Sequence, residues 1–196
     1  MIFLNKLNSV LEKIKPMNKR AAKDAKERLD SLTKPVGSLG KLEKIAAKLA
    51  GITGKCCPSI DKKTHIVMVA DHGIVEEGVS AFPQNVTTLM VNNFLNEGAA
   101  INVLTNQMDS ELILVDIGMI DTVKNENMLQ YKVKKGTDNF LKGPAMSRKD
   151  AVNAIEVGIE VAGNAIESGS DIISTGEMGI GNTTPSSAIL AVLTDL

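Results

Sequence analysis

Apolar residues recur at every third or fourth position over the first fifty residues, and in short unbroken runs after that. Leu4, Leu7, Leu11 and Ile14 form one helical stripe, and Ala22, Ala25, Leu29 and Leu32 form a second, with Pro16 between them. That spacing predicts two amphipathic helices broken near the proline. "KPVGSLG" at 34–40 reads as a turn. A third stripe of Leu39, Leu42, Ile45, Ala46 and Leu49 is expected to stop at Gly51, a residue that readily takes the left-handed cap conformation.

From residue 64 the pattern changes. "THIVMVADHG" and "ELILVDIGM" are β-branched apolar runs that end in polar residues, the mark of buried parallel strands. "NMLQYKVKKG" at 127–136 alternates like a shorter, more exposed strand, and "DIIST" supplies a fourth. Between them, 85–107 reads as one helix with Gly98 as its weak point. Another helix runs from an N-cap at Ser147, with Asp150 three residues on, to Gly169. A last one covers Pro185–Leu193, with Thr184 as cap and Pro185 at the first position. The expected fold is α/β, a Rossmann-like parallel sheet with helices on both faces (64–196), preceded by a small helical domain (1–63).

Composition agrees with this. Apolar residues make up 43% and aromatics only 3%, with nine Met and no Trp, so the interior is built from aliphatic side chains and an all-β sandwich is disfavoured. The net charge of -1 hides a division: residues 1–63 hold 15 Lys/Arg against 6 Asp/Glu, and the remainder 7 against 17. The lysines are spread over helices without interleaved aromatics, which argues for solvated helix faces and against nucleic acid. Cys56 and Cys57 are adjacent, so a bridge between them would be strained, and both are expected to be reduced. With His65 and His72 the only histidines, no metal is expected, nor is a cofactor. No run approaches the roughly 18 apolar residues of a membrane span. A cytoplasmic protein is the expectation.

The candidate chemistry collects where strands end. Asp71 and His72 follow the first run, Asp116 closes the second, and Glu177 follows "DIIST"; ligands of open α/β sheets bind beyond those carboxyl ends. The loop "GEMGIGNTT" fits neither the P-loop nor the dinucleotide fingerprint. Its Gly176, Gly179 and Gly181 would nevertheless let backbone N–H groups turn inward beside a helix N-terminus, an arrangement that suits a phosphate. Glu177 would then face sugar hydroxyls, or positive charge developing at an anomeric carbon. A glycine-rich connector with an exposed Glu remains the alternative. Asp71 has the chemistry to fasten the turn while His72 lines the pocket. Phe82, in the irregular stretch 76–88, has two readings: packing on a flat ligand, or ordinary core.

Taken together, "RLDSLTKPVGSLGKLE", "ADHGIVEEGVSAFPQNVT", "VDIGM", "NFLKGPAMS" and "GEMGIGNTTPSSA" resemble, in order and over nearly the whole chain, the nicotinate-nucleotide:dimethylbenzimidazole phosphoribosyltransferase family. The resemblance implies a homodimer that transfers 5-phosphoribosyl from nicotinate mononucleotide to a benzimidazole-type base, giving an α-riboside phosphate and nicotinate. It assigns the nucleotide half of the site to Glu177, Gly179, Ile180, Gly181, Asn182 and Thr183. The base half falls to Asp71, His72, Phe82, Met90 and Met178. The family's general-base glutamate comes from a segment near the end of a substantially longer chain, which the resemblance puts beyond Leu196, so no catalytic residue is assigned here. A non-catalytic nucleotide-binding fragment or partner subunit is the competing reading.

Overall fold

The computed structural model of the chain describes residues 5–194. Leu4, counted in the first helical stripe, lies outside them, and so does Leu196, the position past which the general-base glutamate is expected. The chain divides into two compact units, one of which is Ser9–Asp61.

Within that smaller unit, helix α2 (Lys19–Asp30) is capped by Asn18, whose side-chain oxygen accepts from the Ala21 N–H. It packs on α3 (Lys41–Thr53) through small residues, Ala21, Ala25 and Ala50 all being buried. The expected stop at Gly51 is corrected: α3 runs through Gly51 and ends at Gly54, which adopts φ 72° and donates to the Ala50 carbonyl at 2.8 Å. Gly51 has another task. A Cβ there would lie 2.5 Å from Met17 Cγ and 3.2 Å from Ala22 Cβ, so its missing side chain lets the helices meet. Helix α1 (Asn5–Lys13) ends before Pro16, as the proline requires.

The larger unit is the α/β core. Its strands are β1 (Lys63–Ala70), β2 (Glu111–Gly118), β3 (Met128–Gln130) and β4 (Ile172–Met178), all parallel, in the order β3-β2-β1-β4. The sheet separates two apolar layers. Val67, Val69, Leu114 and Met178 pack with Val91 and Phe94 of helix α4 (Val86–Leu95) and with Ile101 of α5 (Ala100–Gln107). Ile66, Val115 and Ile173 pack on the other face with Val161 and Ala165 of α6 (Arg148–Glu167). In register, Met68 lies between Val115 and Glu177, whereas Val69 lies between Asp116 and Met178. The α6 face therefore presents Glu177, and the α4 face presents Asp116 and Met178.

Four expectations about element bounds change. The single helix over 85–107 is two, because Glu97 takes φ 58° and buried Asn102 staples the break, accepting from the Ala99 N–H and donating to the Phe94 carbonyl. The strand at 127–136 is reduced to Met128–Gln130; beyond it Tyr131, Val133 and Gly136 still donate to β2 carbonyls, but as bends. The fourth strand extends through Glu177 and Met178, and helix α7 (Thr183–Thr194) starts two residues before Pro185. Proline fits there, because N–H groups of a helix's first turn have no intrahelical acceptor. Ser147 and Asp150 form the expected capping box.

Strand β1 is buried along most of its length, but β4 is not: Ile172, Ser174, Thr175 and Glu177 are all exposed. Helix α7 carries the same character, with Ile189 and Leu190 about 60% exposed and Val192 and Leu193 77% exposed. An apolar helix this open drives association. Sedimentation velocity of the isolated chain should show concentration-dependent self-association, reduced by a Leu190→Lys, Leu193→Lys double variant; a monomer at every concentration would contradict this.

Candidate functional site

The loops at the carboxyl edge are held by carboxylates that face inward. Asp71 is 2% exposed, and its side chain accepts from the Ile120 N–H at 2.7 Å and from the Gln84 amide. Its backbone N–H donates to Gly118 and its carbonyl accepts from Thr137. Asp116 is fully buried, accepts from the Met119 N–H at 3.0 Å and pairs with Lys132 at 3.1 Å. Both strand-end acids thus tie down the turn after β2. The expectation that Asp71 contacts a base meets a carboxylate whose two oxygens are already engaged within the protein, the turn-fastening arrangement.

The glycine loop lies directly on the turn after β1. A Cβ on Gly179 would sit 2.1 Å from the Ala70 carbonyl oxygen and 2.9 Å from His72 Nε2. Gly181 has φ 83°, and a Cβ there would lie 2.7 Å from Val75. These glycines serve protein-to-protein approach first. The picture of backbone donors turned toward an anion is corrected accordingly: Ile180 donates to the Thr87 hydroxyl at 3.1 Å, Asn182 to Gly179, and Thr184 to Gly181. Among the described residues, Gly181 and Thr183 keep N–H groups for which no acceptor is found, at the positive end of the α7 dipole.

Glu177 is also relocated: it is the penultimate residue of β4 and not part of a loop. Part of its side chain meets solvent, yet removal of water around the carboxylate raises its pKa, while a hydrogen bond with Asn182 opposes the rise. His72 is shifted downward by burial, against the pull of neighbouring Asp71. Burial thus favours its neutral imidazole form.

His72 and Asn182 meet on one cleft of about 440 Å³, walled by Phe140 and Met146 on one side and by Pro185 and Ile189 of α7 on the other. Met90 and Met178 are partly buried and each packs against the α4-side core. Phe82 is 63% exposed, which removes the core reading but puts it in no described contact with the cleft. Thr183 opens α7 and is exposed. Cys56 and Cys57 are free, exposed thiols. Sequence reasoning did not single out Phe140 or Met146, which sit in an irregular Gly- and Pro-containing segment, nor Gln84 and Thr87. Thr87 had a visible signal, because it takes the buried position of the stripe Thr87, Val91, Phe94.

Residues 14–196 match the family described as phosphoribosyltransferase. The chain is 49% identical over 190 residues to the nicotinate-nucleotide–dimethylbenzimidazole phosphoribosyltransferase of Halalkalibacterium halodurans, covering 97% of this chain and 53% of that protein. It is 45% identical over 196 residues to the enzyme of the same name from Clostridium tetani, covering 100% of this chain and 54% of that one. A crystal structure of the Thermus thermophilus enzyme of that name superposes with a TM-score of 0.89 at 41% identity, over 92% of this chain and 55% of its own. The chain spans about half the length of the curated relatives it matches.

Seating the loop on Ala70 predicts that Gly179→Ala lowers stability by about 1–3 kcal/mol through overpacking, read as a shifted urea midpoint; an unchanged midpoint would remove the contact. For His72, the folded pKa lies below the unfolded value of about 6.5. The unfolded chain then binds the proton first, so stability falls as pH drops from about 6.5 toward the folded pKa, and His72 contributes no pH dependence above that window. Proton NMR should find the His72 midpoint below 6.5, and His72→Gln should flatten that part of the stability profile.

Proposed function

The chain belongs to the phosphoribosyltransferase family matched over residues 14–196, and from that premise we propose that it carries the nucleotide-binding half of an enzyme that moves 5-phosphoribosyl from nicotinate mononucleotide to 5,6-dimethylbenzimidazole or a related base. The products are α-ribazole 5'-phosphate and nicotinate, and the step belongs to assembly of the cobalamin nucleotide loop. The observation that carries the reading is the meeting of the Gly179–Asn182 loop with His72, where Asn182 both lines the cleft and hydrogen-bonds Glu177.

In this reading the phosphate takes the N–H groups of Gly181 and Thr183 at the start of α7, and Glu177 takes the ribose hydroxyls. Nicotinate mononucleotide contains a positively charged pyridinium. Its departure as a neutral ring nitrogen needs little acid assistance, while charge builds on the anomeric carbon. A nearby carboxylate stabilises that charge, and Glu177 is positioned for it. The resemblance assigns the incoming base to Phe82, Met90 and Met178, with Phe82 exposed and the two methionines on the α4 side of the sheet. Asp71 acts indirectly, through the turns it fastens. The ring N–H proton of the incoming base goes to the glutamate that the resemblance puts in a later segment of the longer relatives, past the position of Leu196.

We further place the reaction in the cytoplasm and the working form as a homodimer. Among the described residues no helix is long and apolar enough to cross a membrane, which accords with that placement.

Calorimetric titration with nicotinate mononucleotide, paired with incubation with dimethylbenzimidazole and chromatography for α-ribazole 5'-phosphate, tests the reading. Glu177→Gln should weaken nucleotide binding about tenfold, the size of one hydrogen bond to a charged group. Equal affinity in the parent, Glu177→Gln and Gly181→Val would overturn the assignment. The raised pKa adds a signature. A cationic ligand lowers a carboxylate pKa, so binding at mildly acid pH should release protons, seen as a buffer-dependent enthalpy that Glu177→Gln abolishes.

A further inference from the structure

Thr87 is completely buried on helix α4, yet its hydroxyl oxygen accepts a hydrogen bond from the Ile180 N–H in the glycine loop, 93 residues further along the chain. Its own N–H donates to the Gln84 carbonyl, and the Gln84 side chain donates to Asp71 at the end of β1. One turn further along α4 lies Met90. A single side chain therefore links the segment carrying Phe82 and Met90 to the loop between Glu177 and Asn182.

We propose that Thr87 is a positioning residue that fixes the glycine loop in its ligand-receptive shape and couples the base-side helix to the nucleotide-side loop. The physical reason is the fate of one donor. Ile180 sits between two glycines, and both offer a wide choice of backbone angles. Gly179 is confined by the Ala70 carbonyl and Gly181 by Val75, but steric walls restrict position without fixing the peptide plane. A part-buried N–H that must find an acceptor does fix it, because leaving it unpaired costs more than the bond contributes. With the Ile180 peptide oriented by Thr87, the N–H groups of Gly181 and Thr183, for which no acceptor is found among the described residues, remain free for a ligand. Valine is the same size and shape but accepts nothing, so the helix can supply this acceptor without loss of packing only with Thr. The inference about loop geometry stands on the structure; its consequence for a nucleotide rests on the proposed function.

Two measurements separate these levels. In the ligand-free chain, Thr87→Val should speed hydrogen exchange of the Ile180 amide about tenfold or more while leaving amides of β1 unchanged, and Thr87→Ser should restore protection. Thr87→Ala serves as a second deletion variant should valine impair folding. With nicotinate mononucleotide as the probe, Thr87→Val should weaken binding about tenfold, and Thr87→Ser should stay close to the parent. Unchanged Ile180 exchange in both deletion variants overturns the proposal outright. Faster exchange with unchanged nucleotide affinity overturns the coupling to the ligand. A parent chain that binds no nucleotide sinks the proposed function instead, and the exchange experiment still decides the role of Thr87.

Discussion

Everything at the carboxyl edge depends on how closely the 179–182 loop approaches the end of β1. The 2.1 Å between a notional Gly179 Cβ and the Ala70 carbonyl is far inside van der Waals contact, so only glycine can occupy that position. Approach of this kind brings the His72 ring against the loop and leaves room for Asn182 to meet both the cleft and Glu177. Gly73 repeats the device one layer away, where a Cβ would lie 2.6 Å from the Thr137 carbonyl. The β1 turn is thus gripped between two backbone segments, and its neighbours are set by steric exclusion more than by attraction. Exclusion in a close-packed interior is unforgiving of substitution.

Attraction supplies the orientation. Asp71 and Asp116 are almost wholly buried, and charges in such places are tolerated when they are paired or accept several hydrogen bonds. Asp71 commits its oxygens to Ile120 and Gln84, and Asp116 to Met119 and Lys132. Both therefore bind the turn after β2 to the strands on either side of it. Lys132 also donates to the Asp121 carbonyl, and the Asp121 carboxylate accepts from Thr88 on α4. The acids at strand ends form a scaffold, and the proposed function leaves the ligand-facing chemistry to Glu177 and His72.

This division explains which features were legible in the residues alone. Alternating buried strands and helices announced the parallel sheet, since a strand covered on both faces must be apolar throughout. Strand-end acids and the glycine loop were visible as local anomalies, and ordered motifs pointed to the family. What the residues could not reveal was direction. Asp71 and Glu177 look alike as acids after apolar runs, but one is buried and turned into the protein and the other is exposed near the end of β4. Glu177 reads as a loop residue because Gly176 looks like the strand's end, whereas its Val67 partner keeps the ladder going. Gly51 and Gly54 are confused for a similar reason: glycine serves both close packing and caps, and only the partner helix tells which. Phe140 and Met146 leave no periodic trace at all, since an irregular segment has no face to betray.

Two titratable groups beside the glycine loop are moved by burial in opposite directions, Glu177 upward and His72 downward. In each case desolvation favours the uncharged form, opposed at Glu177 by the Asn182 hydrogen bond and at His72 by the charge of Asp71. Under the proposed function, a cationic ligand favours the ionised form of Glu177, whose carboxylate is partly but not wholly open to solvent. A pyridinium cation restores the Glu177 carboxylate, and a phosphate at the head of α7 meets a dipole rather than a competing anion. A ligand carrying both charges a few bonds apart draws on both effects at once. A neutral nucleoside draws on neither. Under the proposed function, preference for a zwitterionic nucleotide would follow from these two effects, and it requires that the loop be held in place, the role proposed for the buried Thr87 hydroxyl on α4.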